Sequence, residues 1–207
     1  EFSPILLNDS VLLFSSLRAV SFLEDGSVED LDYTSGIYKA TKRDSLWLMS
    51  SELPASKSEH VSIANGSFIP GKNLFYFSVC SSFGSCKIHE GIIRNDSIVS
   101  HKALPSGINP ELSSSTHPFV CSIKGKKTLV FSSNRSGGFG GMDLWVSVYN
   151  GQWSRAKNLG KKINTMGDEL TPYYDQDSSL LYFSSDWHYN LGGLDVFSVK
   201  GSFPSKW

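Results

Sequence analysis

The sequence predicts an all-β chain: a β-propeller built of four-stranded antiparallel blades, with at least four blades visible and the last incomplete. Three observations predict it. The stretch from Val130 to Trp145 (VFSSNRSGGFGGMDLW) returns as Tyr182 to Phe197 (YFSSDWHYNLGGLDVF), each copy a strand, a loop closed by Gly-Gly, and a second strand opened by Asp. A Phe-Ser marker recurs at Phe14, Phe77, Phe131 and Phe183, at intervals of 77 − 14 = 63, 131 − 77 = 54 and 183 − 131 = 52 residues. That spacing suits four short strands per unit and exceeds what a helical repeat needs. Finally, side chains alternate within the runs, Leu129 and Phe131 against Val130 and Ser132, among many Ser, Gly and Asn turn residues, with no segment of helical period.

The first unit, about 1–53, reads as Glu1–Leu7, then Val11–Ser16 after an Asn8-Asp9-Ser10 turn, an acidic loop from Glu24 to Asp32, then Gly36–Ala40 and Leu46–Met49. The second, about 60–104, runs through Gly66–Ile69, Leu74–Ser78, a loop from Cys80 to Cys86, Lys87–Glu90 and Ile98–Val99, and is the most divergent. The third, about 115–160, is Thr116–Cys121, Thr128–Ser133, the Gly-rich loop, Asp143–Val148 and Gln152–Leu159. The fourth, about 168–207, has Glu169–Tyr174, Ser179–Ser185 and Asp195–Val199, and breaks off at Ser205-Lys206-Trp207 where a last strand is expected. A propeller commonly completes its final blade with a strand from the other terminus, but Glu1 already opens an innermost strand. The expectation is therefore a piece of a longer polypeptide or a blade left open.

Charge excludes some partners. With 19 basic and 20 acidic residues the chain has no general attraction for nucleic acid or anionic lipid, and Lys124-Gly125-Lys126-Lys127 reads as a solvated hairpin turn. No apolar run approaches the ~20 residues that span a bilayer, so direct membrane insertion is not expected. Cys80, Cys86 and Cys121 lack zinc spacing. Cys80 and Cys86 sit at the two ends of one strand-to-strand loop, where a disulfide is feasible in an oxidising compartment; two small core thiols are the alternative.

For chemistry the sequence offers little. His60, His89, His101, His117 and His188 are scattered, with no Gly-x-Ser-x-Gly elbow or His-Glu-x-x-His. Each Gly-Gly-x-Asp element runs into a strand rather than a helix, so it reads as a turn with glycines at positive φ and Asp143 or Asp195 bonding loop amides, not as a phosphate cradle. Asp175-Gln176-Asp177 reads as a plain turn, and no metal site or cofactor is expected. His117, before Pro118 at the start of an innermost strand, is expected to face the axial channel with Glu169. The loops between second and third strands bring Phe83, Arg135, Phe139, Trp187, His188 and Tyr189 to corresponding positions, and aromatics and Arg are residue types that dominate protein-binding surfaces.

The third and fourth units resemble the WD40-like PD40 repeats related to the TolB propeller. The residues that carry the resemblance are Pro118-Phe119-Val120, Leu129–Arg135, Gly140–Trp145, Asn158-Leu159-Gly160, Ile163-Asn164-Thr165, Gly167-Asp168-Glu169, Pro172-Tyr173-Tyr174, Leu181–Asp186 and Gly192–Phe197. Their order is similar to that in envelope proteins that join such a propeller to TPR repeats and an OmpA-type domain. The resemblance implies a non-enzymatic scaffold in the periplasm, associated with the outer membrane, binding envelope proteins of a type IX secretion or gliding complex. Peptidoglycan would be met only through a domain outside this chain. The alternative expectation is a propeller that recognises a glycan or peptide in its channel, as part of a hydrolase or lyase.

Overall fold

The computed structural model describes residues 2–19, 33–54, 61–69, 71–81, 83–189, 191–201 and 203. The acidic loop from Glu24 to Asp32 and the Ser205–Trp207 stretch lie outside them. Every regular element described is a strand, in four antiparallel sheets arranged as the blades of a four-bladed β-propeller.

The first sheet is β1 (Phe2–Asn8), β2 (Val11–Ala19), β3 (Tyr33–Arg43) and β4 (Leu46–Glu52). The second is β5 (Ser62–Phe68), β6 (Leu74–Cys80), β7 (Cys86–Arg94) and β8 (Ser97–Ala103). The third is β9 (Ser115–Ile123), β10 (Lys126–Ser133), β11 (Asp143–Val148) and a two-residue β12 (Lys157–Asn158). The fourth, β13 (Glu169–Asp175), β14 (Leu180–Ser185) and β15 (Asp195–Lys200), has three strands among the described residues. Each sheet is a meander in chain order, so its connections are tight turns or the longer loops between second and third strands.

The sheets stack through three apolar cores. Leu13, Ile37 and Leu53 meet Ile63, Phe75 and Phe77 between the first and second blades. Tyr76, Ile88 and Ile108 meet Leu129, Phe131 and Trp145 between the second and third. Leu144, Leu159 and Ile163 meet Tyr174, Leu181 and Phe183 between the third and fourth. Alternation along each middle strand sends successive side chains to opposite blade faces, so Phe131 enters one core and Val130 the next. Burying each large side chain stabilises by about 2 kcal/mol, which makes the blade stack rather than any single sheet the folding unit.

A short segment after the outer strand clips each of these seams. Leu104-Pro105-Ser106-Gly107-Ile108-Asn109 and Leu159-Gly160-Lys161-Lys162-Ile163-Asn164 share one pattern, Leu-x-x-x-Ile-Asn. In each, the Leu N–H donates to a carbonyl near the start of the third strand (Leu104 to Ile88, Leu159 to Leu144, both near 3 Å), and a turn brings the Asn back to the same residue. Asn109 Oδ1 accepts from Ile88 N–H and its Nδ2 donates to the Ile88 carbonyl, both at 2.8 Å. Leu53 N–H makes the corresponding bond to Ile37 at 2.7 Å in the first blade. Within the connection from Pro105 to Ser115, Ile108 and Asn109 are thus buried against the second blade.

Two local expectations are corrected. In the third blade's loop only Gly137 has positive φ, 91°, whereas Gly140 and Gly141 are glycines because a Cβ would strike the Thr165–Met166 backbone and the Asp168 carboxylate. Their counterparts Gly192 and Gly193 do have positive φ, 123° and 65°. Lys127 is not a solvated turn residue. Its Nζ lies 4.2 Å from the Tyr149 ring centre and 4.9 Å from Trp153, and it donates to the Tyr76 hydroxyl at 2.8 Å.

Candidate functional site

The innermost strands β1, β5, β9 and β13 line one axial pocket of about 840 Å³. At the same place in each strand the register breaks in a bulge: between Phe2 and Ile5, Ala64 and Ser67, Thr116 and Phe119, and Leu170 and Tyr173. The bulge residues are Ser3, Asn65, His117 and Thr171, and all four have positive φ, 50°, 55°, 49° and 49°. For a β-branched residue such as Thr171 this is a strained conformation, and four at equivalent places aim four different polar side chains at one pocket.

Serines from neighbouring blades hold this ring. Ser15 Oγ accepts from Asn65 N–H at 2.9 Å, and Ser78 Oγ accepts from His117 N–H at 3.2 Å, each bond crossing from one blade to the next. Ser3 Oγ donates to Asn65 Oδ1 at 2.7 Å, while Thr171 shares a 2.8 Å bond with Ser184. His117 Nδ1 is buried and has no hydrogen-bond partner among the described residues. Burial lowers its pKa to about 4, so the imidazole is neutral at pH 7. Cys121 lines the same wall, and burial pushes its thiol up to about 12, which leaves it an unreactive apolar group.

Further along the axis, towards the first-to-second-strand turns, the lining becomes aromatic and acidic. Phe119 and Tyr173 meet edge to face with ring centres 5.2 Å apart, and Asp175, Gln176 and Asp177 form the mouth. Asp175 accepts from Ser178 Oγ at 2.5 Å and from Asp177 N–H at 3.1 Å, and these bonds hold its pKa below the ordinary carboxylate range. Among the described residues no group of three or more His, Cys, Asp or Glu is placed to hold a metal ion.

The structure distributes the sequence-predicted residues unevenly. His117 lines the pocket, but Glu169 does not: it is fully buried, accepting from Thr165 N–H and Oγ1 and from Ser185 Oγ at 2.9 Å. Arg135 is 9% exposed and cannot serve as an open binding surface. Its guanidinium stacks 4.8 Å from Phe131 and 5.1 Å from Trp145 and donates to the carbonyls of Gly107 and Ile108, and desolvation lowers its pKa to about 10. His188 does the equivalent task one blade on. Its Nε2 lies 2.9 Å from the Ile163 carbonyl, which can only accept, so Nε2 carries the proton. Phe139 and Trp187 are exposed, and Phe83 and Tyr189 almost completely so. Cys80 and Cys86 are bonded to one another, paired across β6 and β7 with Cα atoms 4.0 Å apart, and Cys121 is free. Sequence reasoning missed Asn65, Phe119 and Tyr173. The available signal was the Ser3-Pro4, His117-Pro118 and Thr171-Pro172 pairs, which mark three of the four bulges.

The fold and pocket define a β-propeller with an axial cavity, and solved structures show the same architecture. An α-L-arabinofuranosidase from Lactobacillus brevis matches 95% of this chain and 70% of its own at TM-score 0.58 and 10% identity. A thermostable family-43 glycoside hydrolase matches 98% and 76% at TM-score 0.57 and 12% identity. An α-L-arabinanase from Penicillium chrysogenum, complexed with arabinobiose, matches 90% and 61% at TM-score 0.52 and 13% identity. This chain thus spans roughly three-fifths to three-quarters of the length of these structures. No protein-family model and no curated protein sequence matches it. These findings correct the expectation of a non-enzymatic scaffold for a secretion complex: an arabinofuranosidase, a family-43 glycoside hydrolase and an arabinanase share this fold, and no family model supports the PD40 assignment.

Proposed function

We propose that this chain is the propeller of a glycan-acting enzyme, holding a neutral saccharide in its axial pocket. The observation that carries the reading is the composition of that pocket: aromatic rings of Phe119 and Tyr173 beside Asn65, Gln176, Asp175 and Asp177, in a cavity of ligand size. Rings cover the apolar C–H face of a sugar, and amide and carboxylate groups take its hydroxyls. Charge selects the class. The described lining contains no Lys or Arg, His117 is neutral, and Asp175 is held ionised, so a uronate or phosphorylated sugar meets repulsion.

Glycoside cleavage uses two carboxyl groups flanking the scissile bond. Asp175 and Asp177 are the two that line the pocket. Asp175, fixed and ionised, suits the base or charge-stabilising role, and Asp177 is the second carboxyl that lines the pocket. The hydrolase neighbours support this assignment of reaction class. The Cys80–Cys86 bridge supports an oxidising compartment such as the periplasm. The PD40 likeness is retained only as a description of the blade repeat.

The test is release of reducing sugar from neutral plant and microbial glycans by the purified protein. Activity abolished by Asp177→Asn, with oligosaccharide still bound, is the expected result. A protein that neither binds nor cleaves any neutral glycan would sink the proposal.

A further inference from the structure

The third strands β3, β7, β11 and β15 place one residue opposite the middle-strand Phe in every blade: Tyr38 opposite Phe14, His89 opposite Phe77, Trp145 opposite Phe131 and Phe197 opposite Phe183. Three of the four are aromatic rings covered by a side chain from the loop after the middle strand or from its last residues. Arg18 lies 4.5 Å over Tyr38, Arg135 5.1 Å over Trp145, and His188 5.0 Å from Phe197. The second blade instead puts an imidazole at this place and covers it from the outer strand, with His101 of β8.

The backbone is shaped to bring these two rings together. β7 and β8 lose register between Glu90 and Ile92, and Ser100, immediately before His101, has a φ of 52°. Gly91 leaves the necessary room: a Cβ there would stand 3.0 Å from His101 Cβ and 3.2 Å from the Phe77 ring. The outcome is 3.1 Å between His89 Nδ1 and His101 Nδ1, with the ring centres 5.3 Å apart and Phe77 edge-on to His101 at 5.7 Å. Both histidines are half-buried rather than sealed.

We infer that His89 and His101 form a two-imidazole chelate for a borderline divalent cation, Cu²⁺ ahead of Zn²⁺. Two nitrogens held ~2.0 Å from one ion stand about 2.8 Å apart at a right angle and about 3.3 Å apart at the tetrahedral angle. The pair's 3.1 Å lies between these values. Imidazole suits both cations, and copper binds such donors more tightly. Water completes the shell, since no third His, Cys, Asp or Glu joins the pair among the described residues. One Nδ1 proton lies between the two rings before the ion arrives. On binding it moves to Nε2 of the same ring, so both Nδ1 lone pairs face the cation, both imidazoles stay neutral and no proton is released. Stacking on Phe77 would need neither nitrogen, because Tyr38, Trp145 and Phe197 hold the same place without one.

The probes are Cu²⁺ alone and Zn²⁺ alone, titrated into the purified protein with its Cys80–Cys86 bridge intact, with Mg²⁺ as the control. The expected result is one equivalent of each transition ion, Cu²⁺ the tighter, and no binding of Mg²⁺. Two readouts need no variant. In ¹⁵N-histidine-labelled protein, Zn²⁺ should shift the ring Nδ1 signals of His89 and His101 out of the five histidines, and the paramagnetic resonance of bound Cu²⁺ should show coupling to two imidazole nitrogens. His89→Phe restores the kind of ring that the other blades carry and so keeps the packing on Phe77. This variant and His101→Gln should each weaken binding at least about tenfold, the loss typical of a damaged metal site. Undiminished affinity in both variants, Zn²⁺ shifts at other histidines instead, coupling to a single nitrogen, or no saturation at millimolar cation would each overturn the inference.

Discussion

Asn164 and Leu144 face each other across a blade seam as though the asparagine were a strand, its amide closing both backbone bonds of a residue that is fully buried. Nδ2 also donates to Asn158 Oδ1 at 2.8 Å. Replacement by Ala removes three bonds and leaves the Leu144 N–H unpaired away from water, while its carbonyl keeps only the bond from Leu159 N–H. Asn164→Ala is predicted to cost about 3 kcal/mol in urea unfolding, and Asn109→Ala a similar amount at Ile88. Asn164→Asp should be worse than the loss of one donor alone, because a carboxylate cannot donate to the Leu144 carbonyl.

Lys127 closes the seam between the second and third blades from outside the core. Three rings surround it and Glu90 lies at 3.5 Å, with the Tyr76 hydroxyl donating to the same carboxylate. Lys127→Met keeps most of the stem's packing but removes the charge, leaving Glu90 half-buried and short of its cation. The predicted cost is about 2 kcal/mol, read as a lower urea midpoint at unchanged m-value.

The Cys80–Cys86 bridge closes a short loop, and loop-closure entropy for seven residues corresponds to about 2 kcal/mol. Reduction, or the Cys80→Ser/Cys86→Ser double variant, is predicted to lower stability by that amount while leaving the third and fourth blades' amide protection intact. Thermal melts with and without reductant measure the first effect, and hydrogen exchange the second.

His117 makes stability depend on pH. Its folded pKa of about 4 lies below the ordinary value of 6.5, so as pH falls the unfolded chain takes up the proton first. Its contribution is therefore intact above about pH 6.5 and is lost progressively down to about pH 4. His89, lowered to about 4 by burial and by His101, acts in the same window and sense. The expected loss from His117 is about 1–3 kcal/mol. His117→Asn, which tolerates the left-handed backbone and does not titrate, should flatten this part of the stability profile. An unchanged slope in the variant would show that His117 is not the group responsible.

The blade repeat was legible because strand alternation and turn residues are local. The loop aspartates Asp143 and Asp195 were legible too, since each bonds an amide only four residues away. What sequence did not reveal depends on neighbours distant in the chain. Arg135 has the composition of a binding residue, but its partners, Gly107 and Ile108, are more than twenty residues off, and they turn it into a buried anchor. His188 was read as part of an aromatic surface for the same reason, its partner Ile163 belonging to the previous blade. The clip at Leu104–Asn109 was hidden because its pattern is set by one leucine, one isoleucine and one asparagine amid variable residues. The axial pocket follows from four bulges that align only when the blades are stacked.

The central claim is that the axial pocket holds a neutral saccharide, and calorimetric titration with a series of neutral arabino-oligosaccharides tests it most directly. The account predicts a single saturable site, weakened at least tenfold by Tyr173→Ala and left unchanged by Phe83→Ala on the distant loop. No saturable binding across the series, or binding that Phe83→Ala removes and Tyr173→Ala leaves untouched, would contradict it.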